Sequence, residues 1–215
     1  MSGIAFYDLD GTLVSSNVVH QYLWFARRRS PLRVAALAAS VPLLKLSDLC
    51  SRRLFNRIFY RHYRGLNREW LEQMAGKMFD EFLAKHMFPG VPALLETNRN
   101  QGYRNVLVTG SLDFTARALA VRLGFDAFDA NVLEFRHGRA TGRLAPPILA
   151  GAEKVRAMEQ RARRAGVPLA DCRAYSDDTS DLPMLEAVGH PFAANPKPSL
   201  FREAERRGWP VVDLR

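Results

Sequence analysis

The chain has 215 residues, which fits one compact domain or one domain that carries a sizeable insertion. Hydrophobic residues make up 47% of it and the formal net charge is +9, so the chain can bury a core and is not a disordered polymer. The two cysteines, Cys50 and Cys172, stand far apart in no metal-binding spacing, which excludes a disulfide-stapled or zinc-bound fold and favours a reducing compartment.

The first predicted element is a strand at residues 3–8, a short apolar run that ends at Asp8, with Asp10 two residues later. An apolar run of this length is typical of a strand buried in a parallel sheet. The first residues lack the charged-then-apolar layout of a secretory leader, so we expect a cytoplasmic protein.

Residues 17–88 contain no convincing strand pattern and predict helices at about 17–29, 32–46, 48–64 and 67–86. An all-helical insertion directly after the first strand is the layout of a mobile cap over an active site. We therefore predict an α/β core formed by residues 1–16 and 89–215, with a helical cap at residues 17–88.

The predicted cap holds nearly all of the excess positive charge. Residues 18–89 contain 13 Lys and Arg against 5 Asp and Glu, a net charge of +8. Such a region attracts an anionic partner, which could be a phosphorylated substrate, an acidic lipid surface or nucleic acid. The alternative is a solvated helical face.

An uncharged run of 11 residues, 34–44, lies inside this basic region between Arg33 and Lys45. A membrane-spanning helix needs about 20 apolar residues, so the run is too short to cross a bilayer. We expect a buried cap helix here. Peripheral contact with an anionic membrane, at its inner face, is the alternative, which the neighbouring residues 27–29 (Arg-Arg-Arg) favour.

After the cap, short apolar runs alternate with helical patterns. Strands are predicted at about 105–109, 173–176, 191–194 and 210–213, and helices at about 90–101, 113–123, 153–165, 181–188 and 199–207. Residues 130–143, with a turn signal at His137-Gly138, predict an appended β-hairpin. The alternation indicates an α/β fold with an open parallel sheet and helices on both faces.

Polar residues stand at the carboxyl ends of the predicted strands, where open α/β sheets bind their ligands. Several carboxylates that meet at one point repel each other unless a cation neutralises them, and Mg²⁺ suits a set of oxygen ligands. A lysine adds positive charge for a phosphoryl oxygen. The residues concerned are Asp8, Asp10, Thr109, Lys154, Asp177 and Asp181.

Four parts of the chain resemble the four motifs of the haloacid dehalogenase superfamily of phosphatases: FYDLDGTLV, VLVTGS, Lys154 and YSDDTSDLPML. The helical insertion is similar to the cap of subclass IB, which includes phosphoserine phosphatase. The resemblance implies a Rossmann-like sheet and a Mg²⁺-dependent phosphomonoesterase that works through an aspartyl-phosphate. Asp10 favours phosphoryl transfer over dehalogenation, because a leaving halide needs no acid.

The resemblance also implies a role for each motif residue. Asp8 is the expected nucleophile and Asp10 the general acid and base. Thr109 and the amide of Gly110 are expected to bind phosphoryl oxygens, together with Lys154. The expected metal ligands are Asp8, Asp10 through its backbone carbonyl, Asp177, and Asp181, which orders the metal's water or orients Lys154.

Departures from the subclass pattern bear on the substrate. The Glu of phosphoserine phosphatases that pairs with the substrate amine aligns with Asn17, and their motif-two glycine pair becomes Gly110-Ser111. The early cap is similar to bacterial phosphatases of lipid phosphates, such as phosphatidylglycerophosphatase C. We therefore predict a small or lipid-linked phosphate monoester, lysophospholipids included. Its predicted contacts are Asn17, Gly110, Ser111 and Arg57, a member of an arginine stripe on the cap.

Other functions stay open at this point. A phosphoserine phosphatase or a phosphotransferase of the same fold would carry the same motifs. A non-catalytic protein that binds an anionic ligand or nucleic acid belongs to a different class. Nucleic acid is not an expected partner, because the chain lacks a recognition-helix motif or a repeated aromatic platform. The sequence does not indicate an oligomeric state.

Overall fold

The computed structural model describes residues 3–215. One seven-stranded sheet crosses the molecule in the order β4-β3-β2-β1-β5-β6-β7, and every neighbouring pair is parallel except β3 and β4. The predicted α/β fold class is confirmed. The strands are β1 Gly3–Tyr7, β2 Tyr103–Leu112, β3 Ala127–Arg136, β4 Arg139–Ala145, β5 Arg173–Ser176, β6 His190–Ala194 and β7 Val211–Val212.

Helices join most of the parallel strands and form the whole insertion after β1, as predicted. The helices from the insertion up to β2 are α1 Val18–Arg29, α2 Pro31–Cys50, α3 Arg52–Phe59, α4 Arg68–Met78, α5 Ala84–His86 and α6 Val91–Asn100. A 3₁₀ turn, Tyr60–Tyr63, follows α3, and a π turn, Phe79–Leu83, joins α4 to α5. The later helices are α7 Asp113–Leu123, α8 Ala152–Ala165, α9 Leu182–Glu186 and α10 Pro198–Arg207.

Alternate residues of β1 face opposite sides of the sheet, as the period of two in a strand requires. Ile4 and Phe6 join a cluster that includes the buried side chains of α8, α9 and α10. Ala5 and Tyr7 join a second cluster with α6, α7 and the helices of the insertion. The unbroken hydrophobic run at the start of the chain therefore correctly predicted β1, a strand that is buried on both faces of the sheet. The division into a core (residues 1–16 and 89–215) and a cap (residues 17–88) stays a prediction. Residues 1 and 2 of the predicted core lie outside the described part of the chain.

The predicted appended hairpin is more closely integrated into the fold. The first residues of β3 pair in parallel with β2, and only its second half pairs antiparallel with β4. Asp129 in β3 is held by Arg161 of α8, whose guanidinium donates to both carboxylate oxygens at 2.8 and 2.9 Å. The predicted turn is present, with His137 at φ 47° and Gly138 at φ 71°.

The prediction of a buried helix at residues 34–44 was wrong about burial. These residues do form part of a helix, α2, but most of them are exposed. Only Leu37, Leu44 and Ser47 of its 20 residues are buried, whereas Leu32 is 80% exposed and Leu49 is 85% exposed. A helix that rests on one side of a domain buries a single stripe, and this sequence is apolar well beyond that stripe. Within residues 3–215, no helix is both long and apolar enough to cross a membrane.

Candidate active site

The turn after β1 places two carboxylates at the centre of the sheet. The amide of Asp8 donates to the carbonyl of Tyr175 at 3.0 Å, which extends the pairing with β5 beyond the strand. Gly11 then reverses the chain at φ 88°, and a Cβ on it would lie 2.2 Å from a carboxylate oxygen of Asp177. Only glycine fits this close approach, which brings Asp177 against the backbone that follows Asp10.

Lys154, in the first turn of α8, joins two of the acidic residues. Its Nζ donates to Asp8 Oδ1 at 2.7 Å and to Asp181 Oδ2 at 2.8 Å. The Ser176 hydroxyl also donates to Asp181 Oδ2, at 2.9 Å. All three charged residues are at most 7% exposed, so their charges need these partners to offset the loss of water.

Asp10 is held by a second network that spans the core and the insertion. The Ser111 hydroxyl donates to one carboxylate oxygen at 2.7 Å, and the Gln21 amide donates to the other, also at 2.7 Å. Gln21 further donates to Ser111 Oγ at 3.1 Å. Both carboxylate oxygens of Asp10 are thus fixed, and one of the two donors belongs to α1 of the insertion.

The site carries more negative charge than its lysine neutralises. Burial raises the pKa of Asp8 to about 7, and the nearby carboxylates of Asp181, Asp177 and Asp10 add to this against the opposing Lys154. Burial likewise raises the pKa of Asp10 to about 6, although the Ser111 hydrogen bond opposes it. For Lys154, burial opposes protonation, but Asp181 and Asp8 outweigh it and raise its pKa.

A second lysine lies on the open side of these carboxylates. Lys197 Nζ is 3.3 Å from Asp177 Oδ2 and also pairs with the carboxylate of Asp178, while its side chain stays 51% exposed. Burial would raise the pKa of Asp178, but Lys197 and the Ser180 amide hold it at about 2. The same burial raises the pKa of Asp177. Lys197 therefore partly offsets the charge that a divalent cation would neutralise.

The donor set fits an open magnesium site. In the chain from residue 3 onward, no group of three or more His, Cys, Asp or Glu side chains is arranged to enclose a metal ion. Mg²⁺ does not need such a cage, since it is held by one or two carboxylates and completes its shell with water and substrate phosphate. Asp8 and Asp177 both line the cavity and would provide two such carboxylates, in a site with surplus negative charge, with the Asp10 carbonyl as the further predicted ligand.

The end of β2 differs from the prediction. Thr109 was expected to end the strand, but β2 continues through it to Leu112, with an irregular register after Val108. Thr109 is fully buried, and its hydroxyl oxygen accepts from the Ser111 amide at 3.0 Å. Neither residue lines the cavity described next, and the Ser111 hydroxyl is used by Asp10, so a substrate contact by Ser111 stays a prediction.

Gly110, between them, does face the cavity, and its carbonyl is fixed from two sides. The Tyr60 hydroxyl and the Asn131 amide each donate to it at 2.7 Å. Tyr60 comes from the insertion and Asn131 from β3. These two donors hold the Gly110 peptide in place at the edge of the cavity.

A cavity of about 270 Å³ opens above these residues, between the sheet and the insertion. Arg57, a predicted substrate contact, is exposed and does not line the cavity, so its role stays a prediction. Arg52, at the first turn of α3, lines it instead. Asn17, another predicted substrate contact, does line it, and its side-chain oxygen also caps α1 by accepting from Val19 and His20 at 3.0 and 3.1 Å. The insertion contributes Asn17, Val18, Val19, Asp48, Arg52, Phe55 and Asn56.

Asn56 lines this cavity with an unused donor. It is 2% exposed, and among the described residues its Nδ2 has no hydrogen-bond partner. The nitrogen is directed at the Gly110 end of the cavity, 3.6 Å from the position a Cβ on Gly110 would take. Since buried amide groups rarely go unbonded, this nitrogen is suited to an anionic ligand.

The prediction missed Gln21, Arg52, Asn56, Asn131 and Lys197. Gln21, Asn131 and Lys197 act through contacts distant in sequence, whereas Arg52 and Asn56 stand out only as parts of the cavity wall. Gln21 did leave a signal. It stands on the buried side of α1 in the company of Tyr22 and Phe25, and a polar residue there needs a partner.

Comparisons with known proteins agree with this geometry. The haloacid dehalogenase-like hydrolase family matches residues 5–186. A Mycobacterium tuberculosis protein named phosphoserine phosphatase SerB1 is 32% identical over 221 residues, which span 100% of this chain and 72% of that protein. The crystal structure of a protein of unknown function from Bordetella pertussis Tohama I has a TM-score of 0.85 at 25% identity, covering 99% of both chains. A phospho-aspartyl intermediate analogue of phosphoserine phosphatase shares the fold, with a TM-score of 0.73 at 20% identity over 99% of this chain and 93% of that one.

Proposed function

Because this chain belongs to the haloacid dehalogenase-like hydrolases and is a phosphatase, we propose that it is a Mg²⁺-dependent phosphomonoesterase that works through a phosphorylated Asp8. The observation that carries the proposal is the pair of ionic hydrogen bonds from Lys154 to Asp8 and Asp181. They lie at the base of a cavity that Asp10 also lines. A nucleophilic carboxylate, a second carboxylate two residues on and a buried cation are the parts that phosphoryl transfer needs.

In the first step, a carboxylate oxygen of Asp8 attacks phosphorus, and the bond from phosphorus to the ester oxygen breaks. Asp10, in its protonated form, donates its proton to that departing oxygen, so the product is a neutral alcohol. Gln21 and Ser111 hold Asp10 in one orientation throughout. The product of this step is an acyl phosphate on Asp8.

In the second step, water attacks phosphorus and the acyl phosphate bond to Asp8 breaks. Asp10, now ionised, accepts the proton of the attacking water and returns to its starting state. A pKa of about 6 suits both roles near neutral pH, because neither form of Asp10 is rare there. Inorganic phosphate leaves, and Asp8 is again a free carboxylate.

The transferred phosphoryl group meets donors on three sides. Lys154 supplies a buried positive charge, the Gly110 peptide lies beside Asp8, and Asn56 offers its free Nδ2 from the insertion. Thr109 stays in the proposal as a residue that supports the backbone at Gly110, because its hydroxyl accepts from the Ser111 amide. Mg²⁺ held by Asp8, the Asp10 carbonyl and Asp177 would offset the negative charge of both the phosphate and the carboxylates.

The proposed substrate is a small or lipid-linked phosphate monoester, with lysophospholipids included, at a cytoplasmic location. Support comes from the cavity wall, where Arg52 places a guanidinium that Asp48 holds at 3.0 Å, while Val18, Val19 and Phe55 add apolar surface. Phosphoserine is the alternative, favoured by the name of the Mycobacterium tuberculosis relative. Against it, Asn17 supplies no negative charge for the amine of phosphoserine. A phosphotransferase would share the first step and differ only in the acceptor of the second.

The catalytic proposal is tested with p-nitrophenyl phosphate and the variant Asp8→Asn, which keeps the volume of the side chain but removes the nucleophile. We expect the loss of essentially all Mg²⁺-dependent turnover, with an unchanged circular dichroism spectrum. Glu159→Gln, a change on the exposed side of α8, is the matched control and should be as active as the wild type. Substantial turnover by Asp8→Asn would contradict the covalent mechanism.

A further inference from the structure

Helix α2 presents a continuous apolar stripe to the outside of the molecule. We call this stripe the outer face of α2. Its leucines are 53–85% exposed, whereas a surface helix normally turns such residues inward. A helix of this length extends about 30 Å, so the stripe is far larger than a few scattered side chains. The outer face consists of Leu32, Ala35, Ala39, Pro42, Leu43, Leu46 and Leu49, all exposed and, apart from the adjacent Pro42 and Leu43, spaced three or four residues apart.

Positive charges flank the outer face at both ends. Arg27 and Arg29 are exposed at the end of α1, immediately before α2 begins. Lys45 lies beside the stripe, and Arg53 follows it at the start of α3. Apolar side chains with basic residues at their edges match the chemistry of an anionic membrane surface, whose headgroups lie just outside its hydrocarbon.

The same helix leads to the catalytic cavity. Asp48, in the last turn of α2, and Arg52, two residues after its end, both line the cavity that contains Asp8. A shallower groove continues outward from there along Ser51, Arg53 and Thr179. The C-terminal end of the outer face therefore lies beside the mouth of the active site.

We propose that the outer face of α2 docks on an anionic lipid bilayer, with the helix in the plane of the membrane. Docking in this orientation places the mouth of the cavity at the headgroup layer, where a phosphate monoester headgroup enters while the acyl chain stays in the bilayer. The docking itself rests only on α2 and its flanking charges. The lipid substrate also rests on the proposed phosphatase function.

A second copy of the chain is the other occupant that such a face can have, and the flanking charges disfavour it. In a two-fold dimer the same surface meets itself, so the basic residues at the edges of one copy approach those of the other. A lipid surface of negative charge is attracted by the same residues. Charge complementarity therefore favours the bilayer.

The test is co-sedimentation with phosphatidylglycerol-containing vesicles, beside vesicles of phosphatidylcholine alone. We expect the wild type to bind the anionic vesicles at least about tenfold more tightly, and to lose binding as added salt shortens the Debye length from about 8 Å toward 3 Å. The double variant Leu46→Glu/Leu49→Glu should lose at least about tenfold in binding, because two charges now enter the apolar layer. Val121→Glu, at a 75% exposed position on α7, is the control and should bind as the wild type does.

Turnover separates this inference from the proposed function. The double variant should hydrolyse soluble p-nitrophenyl phosphate at the wild-type rate but lose at least about tenfold against lysophosphatidate presented in vesicles. Equal sedimentation of wild type and double variant would overturn the docking, and so would wild-type indifference to the anionic vesicles. A dimer in analytical ultracentrifugation that only the double variant disrupts would assign the face to a second copy. Vesicle binding without phosphatase activity would overturn the proposed function alone.

Discussion

At the scale of single residues, Asp10 is the position where the structure is most informative about chemistry. Two hydrogen bonds fix its carboxylate, from Gln21 and Ser111. The sequence motif identifies Asp10 itself but neither donor, since they are 11 and 101 residues away and only the fold brings them together. The same holds for Asn56, which lines the cavity and keeps a buried, unpaired side-chain nitrogen next to Gly110.

Asp10→Asn should slow the reaction in proportion to how much the leaving group needs a proton. For an alkyl phosphate we expect kcat/KM to fall by about 10²-fold or more, since general acid catalysis typically contributes 10²–10⁴. For p-nitrophenyl phosphate the loss in kcat/KM should be much smaller. This ratio reports the step up to phosphorylation of Asp8, so pre-steady-state kinetics are not needed. An equal loss with both substrates would contradict the role of Asp10 as the acid.

Gln21→Ala should also slow the hydrolysis of an alkyl phosphate more than that of p-nitrophenyl phosphate, with a smaller loss than Asp10→Asn. We expect about a tenfold loss in kcat with the alkyl phosphate, because Asp10 loses one of its two donors, and little change in KM. Gln73→Ala removes an exposed glutamine from α4 and serves as the control. A loss that is independent of the leaving group would indicate a merely structural role for Gln21.

At the scale of elements, hydrophobic period predicts which segments are helices and strands but not how deeply each is buried. β1 was located because both of its faces are apolar, and α8 and α10 because they end at glycines with left-handed backbone angles, Gly166 and Gly208. The predicted burial of α2 was wrong, because nothing in an apolar run of sequence distinguishes a helix in the core from an exposed one. The parallel half of β3 was missed, since Asp126 and Asp129 interrupt its hydrophobic pattern.

The orientation of α3 places one arginine of the insertion at the cavity and another in solvent. Arg52 lines the cavity, and Arg57 points to solvent less than two turns later. Arg52→Ala should raise KM for an anionic substrate by about tenfold, since a charge near the ligand is worth on the order of 1 kcal/mol in a partly solvated site. Arg57→Ala should leave KM unchanged. If steady-state kinetics instead showed a raised KM for Arg57→Ala and an unchanged KM for Arg52→Ala, the assignment of Arg52 to the substrate would be contradicted.

At the scale of the whole molecule, the family, the fold class and the enzyme class predicted from sequence are confirmed by the family match and the sheet. They were accessible because Asp8, Asp10 and Asp177 follow the ends of strands β1 and β5, where any open α/β sheet collects its ligands. The substrate was not accessible in this way. It depends on how the insertion rests on the core, and that contact involves residues whose spacing follows no motif.

Removal of the metal should affect both activity and stability. Chelation should abolish turnover, and Ca²⁺ should not replace Mg²⁺, because its larger and looser oxygen shell misplaces Asp8. In thermal unfolding, Mg²⁺ should raise Tm, with each 1 kcal/mol of binding linkage worth about 2–4 °C in a chain of this size. The variant Asp177→Asn should lose that shift. An identical shift in the variant, or full activity in chelator, would contradict the proposed ligands.

The central place of β1 in the sheet has a consequence for how the protein is made. Its neighbours are β2 and β5, so the bond from the Asp8 amide reaches Tyr175, a residue that the ribosome adds 167 positions later. At about 5–20 residues per second, translation needs on the order of ten seconds or more to cover that distance. Until then Asp8 follows a strand that lacks its second neighbour. The site around Asp8 can therefore assemble only after Tyr175 has been added, long after Asp8 itself.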